Sequence, residues 1–128
     1  EDVEIFAPVL HRRGCMDDRD YENYREVFRN MVGFLNPPDL IIYLRAKPET
    51  VMTRINSRGR SCESNIPLDF LQDLHAAYED WIERAPSLCP VHTIDTEVIN
   101  LRDNEKAQVE LLEMIREFHL EKHEKMGD

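Results

Sequence analysis

Hydrophobic positions recur along this chain with two different periods, and together they predict a succession of short helices and strands. Residues 2–13 set Val3, Phe6, Val9 and Leu10 on one side of a helix. Residues 18–35 repeat the pattern more strongly, with Tyr21, Tyr24, Val27, Phe28, Met31, Val32 and Leu35 on one stripe, predicting a core face or a helix–helix interface. Pro37 and Pro38 end that helix, because a proline pushes the residue before it out of helical geometry. Leu40-Ile41-Ile42-Tyr43-Leu44 is an unbroken apolar run of strand length, which predicts a strand over about 39–44 covered on both faces. After Pro48, a helix over 49–58 turns Val51, Met52 and Ile55 inward. Residues 59–66 are polar and loop-like, and Pro67 opens a helix reaching about Arg84, with Leu68, Leu71, Leu74, Tyr78, Trp81 and Ile82 in phase. Val91–Asp95 predicts a second strand. A last helix over about 103–122 turns inward either Val109, Leu112, Ile115 and His119 or Leu111, Ile115 and Phe118.

Strands alternating with helices predict an α/β fold with a parallel sheet. Two short strands, at about 39–44 and 91–95, make a poor sheet by themselves. The expectation is therefore a single, incomplete domain over 1–128, mostly helical, belonging to a larger architecture.

Composition narrows the function. With 16 Lys and Arg against 26 Asp and Glu, the 128 residues carry a formal charge of −10, which argues against nucleic acid as a partner. Hydrophobic residues make up 41%, enough for an ordinary core rather than an acidic disordered tail. No run reaches the ~18 apolar residues of a membrane span, and Glu1-Asp2-Val3-Glu4 has no signal-peptide character. Cys15, Cys62 and Cys89 show no metal-ligand spacing, so a reducing, cytoplasmic compartment without a zinc site is expected.

Against the acidic average, Met52 to Ser61 contains Arg54, Arg58 and Arg60 and no acid. Arg54 and Arg58 share a helix face, and Gly59 frees the backbone before Arg60. Arginine forks suit multidentate binding of phosphate oxygens. The plainer alternative is a solvated face paired with Glu49 and Glu63. Glu63 either accepts a hydrogen bond from a sugar hydroxyl or simply partners Arg58 or Arg60. Asp2 and Phe6, one turn apart, could read and stack a nucleobase, although an aromatic ring on an apolar face is usually core. Asp95 ends the second strand, where open α/β sheets place ligands and where simple caps are also common. His119 and His123 are four apart, without an evident third ligand for a metal.

Taken together, these segments resemble the deoxynucleoside kinase family. The similarity runs through Glu1-Asp2-Val3-Glu4-Ile5-Phe6-Ala7, Asp20-Tyr21-Glu22-Asn23-Tyr24 and Pro38-Asp39-Leu40-Ile41-Ile42-Tyr43-Leu44. It is most specific from Arg54 to Leu71 and continues to Tyr78-Glu79-Asp80-Trp81, with a lid over about 54–66. The resemblance implies ATP-dependent phosphorylation of a deoxyribonucleoside 5′-hydroxyl in nucleotide salvage, on a parallel sheet of the P-loop kinase type. It implies that Phe6 stacks on the acceptor base, that Asp2 reads its edge, and that Glu63 accepts from the sugar 3′-hydroxyl. Arg58 and Arg60 would reach the transferring phosphates, Arg54 would lie against the donor adenine, Asp95 would belong to the ATP site, and the segment after Asp95, around Ile99–Leu101, would border that adenine too. It also implies a homodimer through helix 18–35.

The chain departs from the family in holding no Gly-x-x-x-x-Gly-Lys-Ser/Thr sequence. The phosphate cradle, the Mg²⁺ ligands and the carboxylate base would then lie upstream of Glu1, making this the carboxyl-terminal portion of such a kinase, inactive alone. Cys62 stands where many members carry a second Glu in the lid. A thymidylate-like nucleoside monophosphate kinase also closes an arginine lid, but Arg12-Arg13 is the only phosphate-like pair in residues 1–50. A non-enzymatic alternative is an acidic helical module that dimerises through 18–35.

Overall fold

A computed structural model of the chain describes residues 2–63, 65–87 and 89–126. A π-helical turn, Asp2–Phe6, runs into α1 (Ala7–Arg12), followed by α2 (Asp18–Val32), β1 (Ile41–Arg45), α3 (Pro48–Arg58) and α4 (Leu68–Arg84). After β2 (Val91–Asp95) the chain ends in α5 (Glu105–Met126). β1 and β2 pair in parallel, Ile41 opposite Val91 through Arg45 opposite Asp95.

Local chemistry accounts for most boundaries. The Asp17 side chain accepts from the Asp20 backbone N–H at 2.7 Å and caps α2, whose first turn carries Asp18 and Asp20. Pro48 starts α3, and Gly59 ends it at φ 63°, a left-handed conformation that a side chain would strain. Pro67 is the extended residue just before α4 rather than its first helical one. The helix expected over 2–13 is instead two elements. Pro8 lacks an N–H and its ring crowds the carbonyl four residues back, on Glu4, so the α-helical ladder cannot run through this point and the turn before it widens.

The core is a cluster of Ile5, Val9, Ile55, Leu71 and Leu74, contributed by the π turn, α1, α3 and α4. Two expectations need correction. β1 is not covered on both faces: Ile41, Ile42 and Tyr43 are half-buried and Leu44 is exposed, because β2 alone flanks it among the described residues. Its span is also shifted, from 39–44 to Ile41–Arg45. The α2 stripe is not core either, since Tyr24, Val27, Met31, Val32 and Leu35 are exposed. In α5 the inward set is Leu111, Ile115 and Phe118; Val109, Leu112 and His119 face out. No described helix is long and apolar enough to cross a membrane.

Between α2, β1 and α4 lies an open hollow of about 1240 Å³, lined mainly by apolar groups including Phe28, Ile42, Phe70 and Leu74.

Candidate functional site

The segment between α3 and α4 is held at both ends. On the α3 side, Arg54 donates from Nη1 to the Thr96 hydroxyl at 2.7 Å and from Nη2 to the Thr96 carbonyl at 2.9 Å. Thr96 in turn donates from its hydroxyl and its backbone N–H to the Arg45 carbonyl, at 2.8 and 2.9 Å. One arginine thus ties α3 to the turn after β2 and to the end of β1. On the α4 side, the Ile66 N–H donates to the Glu63 carbonyl at 3.3 Å, and Ile66 packs against the core.

Between these anchors Gly59 reverses the chain, and Ser61–Glu63 form a single 3₁₀ turn. The turn folds Glu63 back on the arginines: Oε2 lies 3.0 Å from Arg58 Nη2, and Oε1 lies 3.5 Å from Arg60 Nη1. Glu63 is the more buried partner, its side chain 20% exposed against 50% and 62% for the arginines. The Arg58 contact is an ion pair without hydrogen-bond alignment, and Oε2 is buried with no hydrogen-bond donor among the described residues. Each arginine therefore keeps donors for an anion, and the carboxylate keeps acceptor capacity for a hydroxyl.

Phe6, the last residue of the π turn, is half-buried on the wall of the hollow. Its ring meets Tyr78 edge-on at 6.3 Å, and Tyr78 stacks on Tyr43 at 5.8 Å. An aromatic wall of this kind can accept a flat ring. The side chain of Asp2 lies outside the described residues, as does that of Cys62. Asp95 shapes the turn after β2: its Oδ1 accepts from the Glu97 N–H at 2.9 Å, and its carbonyl accepts from the Val98 and Ile99 N–H groups. Its carboxylate acts here as a turn former at the strand end.

Three contacts at the site had no local signal. Glu97 accepts from the Lys47 N–H at 2.9 Å, which together with the Thr50 hydroxyl holds its carboxyl below the usual range. Glu79 on α4 accepts from the Tyr43 hydroxyl at 3.2 Å and from Arg45 at 2.6 Å. Arg13 donates to Asp73 at 2.6 Å and to Asp69 at 2.9 Å. The alternation of Tyr43 and Arg45 on one strand face, and of Asp69 and Asp73 on one helix face, is visible in the sequence. Their partners, dozens of residues away, are not.

Comparison with known proteins decides what this arrangement belongs to. A sequence model of the deoxynucleoside kinase family matches residues 1–120. The chain belongs to the deoxynucleoside kinase family. It is 40% identical over 91 residues to the deoxyadenosine kinase of Dictyostelium discoideum, covering 71% of this chain and 37% of that protein. It is 32% identical over 117 residues to the deoxyadenosine/deoxycytidine kinase of Bacillus subtilis, covering 90% of this chain and 54% of that protein. Among solved structures, deoxyadenosine kinase from M. mycoides with bound dATP superposes with a TM-score of 0.67 at 29% identity, covering 88% of this chain and 55% of that one. The same enzyme with its products dCMP and dCDP gives 0.72 at 30% identity, over 89% and 56%. The mostly helical chain with its two-stranded sheet is thus part of the P-loop kinase fold of this transferase family, and it matches between 37% and 56% of the length of these relatives.

Proposed function

We propose that this chain supplies the lid and one wall of the acceptor site of a kinase that transfers the γ-phosphoryl group of ATP to a deoxyribonucleoside 5′-hydroxyl. The observation that carries the reading is the turn in which Arg58, Arg60 and Glu63 converge around Gly59 in a chain of this family. Phosphoryl transfer requires positioning and charge neutralisation more than covalent chemistry. Arg58 and Arg60 neutralise the transferring phosphates, and Glu63 accepts the sugar 3′-hydroxyl. Each ligand must displace part of the existing ion pairing. Phe6 offers its ring to the base, and Asp2 is the partner for the base edge. Arg54 and the Asp95-shaped turn form the donor-adenine side, with Arg54 acting also as the fastener of that turn.

ATP fits this set through its charge. Mg²⁺, when bound, would supply further charge neutralisation to the phosphates. Its ligands are proposed to lie in the part of the family's length that this chain does not span. The hollow, at about 1240 Å³, exceeds the ~300–1,000 Å³ of a small-molecule site, and its apolar lining suits further protein side chains beside a nucleoside. Residues 1–128 are accordingly read as one incomplete domain. The exposed stripe of α2 is read as a homodimer face.

The test is ATP-dependent phosphorylation of deoxyadenosine and deoxycytidine by the full gene product containing these residues. Arg58→Ala and Arg60→Ala are expected to lower kcat by about a hundredfold or more, and residues 1–128 alone to show no turnover. Turnover by the isolated chain, or variants as active as the parent, would overturn the assignment. Preference for a monophosphate acceptor would favour the thymidylate-like alternative.

A further inference from the structure

The lid's second anchor is an arginine outside it. Arg13 caps the carboxyl end of α1, where a cation complements the helix dipole. Its guanidinium reaches across to the first turns of α4 and engages three side chains there. Nη2 donates to Asp69 Oδ2 at 2.9 Å, Nη1 donates to Asp73 Oδ2 at 2.6 Å, and the guanidinium carbon lies 5.5 Å from the centre of the Phe70 ring. Asp69 meanwhile accepts from the Phe70 backbone N–H through its other oxygen, at 3.0 Å. The arginine side chain is 25% exposed, less than Asp69 at 66% or Asp73 at 48%.

The start of α4 needs such a partner. Pro67, before the helix, has no side chain that can cap the orphan N–H groups. Asp69 and Asp73 are four apart on one face and repel when nothing neutralises them. A planar fork can serve both carboxylates and lie against a ring, which a lysine ammonium cannot. The Arg13 hydrogen bond is the main cause holding the Asp69 carboxyl below its ordinary range.

We propose that Arg13 is a positioning residue, fixing the amino-terminal turns of α4, and through them the carboxyl side of the lid, relative to the helix that follows Phe6. The role rests on the kinase reading above. Ile66 links the start of α4 to Glu63, so movement of these turns is passed to the carboxylate that faces Arg58 and Arg60. The α3 side is held independently by Arg54 and Thr96. Losing Arg13 therefore loosens one side of the lid only.

The experiment compares the full gene product with its Arg13→Met and Arg13→Lys variants by amide hydrogen exchange and steady-state kinetics. Amides from Leu71 to Leu74 are expected to exchange about five- to tenfold faster in Arg13→Met, while that of Ile55 on α3 is unchanged. Per folded molecule, kcat is expected to fall about tenfold with little change in KM for ATP. Arg13→Lys, which keeps the charge and one of the two bonds, should fall between wild type and Arg13→Met in both readouts, and it carries the comparison if Arg13→Met does not fold. Unchanged exchange in α4, or faster exchange with unchanged kcat, overturns the proposal. A wild-type protein that phosphorylates no nucleoside sinks the kinase reading instead, and the exchange data then still decide whether Arg13 fixes α4.

Discussion

The π turn, α1, α3 and α4 form one group and α2, β1 and α5 another; both carry apolar faces, yet only the first group is well covered. Ile5 and Val9 are fully buried, and Ile55, Leu71 and Leu74 nearly so. On the other side Val27, Met31, Leu44, Leu112 and Leu120 are each about half exposed or more. Periodicity states which face of an element is apolar; it does not state what covers that face. The segment carrying Arg58, Arg60 and Glu63 joins two helices of the packed group, while the open hollow lies where α4 of that group faces α2 and β1.

The largest effect should come from the packed side. Ile5→Ala removes a fully buried side chain where α1, α3 and α4 meet, and is expected to destabilise the fold by about 2–5 kcal/mol. Urea unfolding should show this as a lower midpoint with little change in slope. A loss under about 1 kcal/mol would mean that the supposed core collapses around the gap and that the two sides are less different than their burial implies.

The seam between the sides gives a smaller, pH-dependent effect. Tyr43 lines the hollow, stacks on Tyr78 and donates to Glu79. Burial first, and then the neighbouring Glu79 carboxylate, push its phenol from 10 up to about 12, partly opposed by Arg45. A raised value in the folded state means stabilisation that is complete below pH 10 and disappears as pH rises through about 12. Spectrophotometric titration should therefore show a tyrosine step near pH 12, and Tyr43→Phe should remove it. Ionisation of Tyr43 near pH 10 would show that the hollow leaves the ring in water.

Element type was legible in the sequence because each element states it locally. Val91–Asp95 lies where its apolar run places it, and Gly59 and Pro48 bound α3 as their backbone limits require. The π turn was not, because the apolar spacing over 2–13 reads as one helix, while Pro8 and its missing N–H break the ladder there. The burial of β1 was not, because a continuous apolar run reports what a strand needs and not which neighbours are present. At the site, the charge pattern from Arg54 to Glu63 marked the segment proposed as the lid, and the alternative in which Glu63 simply pairs with Arg58 and Arg60 is what the geometry contains. The roles of Thr96, Glu79 and Arg13 depend on contacts between distant segments, and no local spacing encodes those.

The smallest effect on stability is expected on the open side, where it separates folding from association. Val27 and Met31 are 56% and 55% exposed, four residues apart on α2. Replacing them together, as Val27→Glu with Met31→Lys, removes the centre of the stripe and adds an ion pair in the favourable helical order, worth only about 0.2–0.5 kcal/mol. The melting temperature of the isolated chain should barely move, in contrast to Ile5→Ala. If the stripe is the homodimer face, light scattering on the full gene product should instead show a fall from dimer to monomer mass, because two charges would have to be desolvated at the interface centre. Unchanged mass would mean that the stripe is covered by something other than a second copy. A marked loss of stability in the isolated chain would mean that α2 is already packed there, and the contrast between the two sides would then fail.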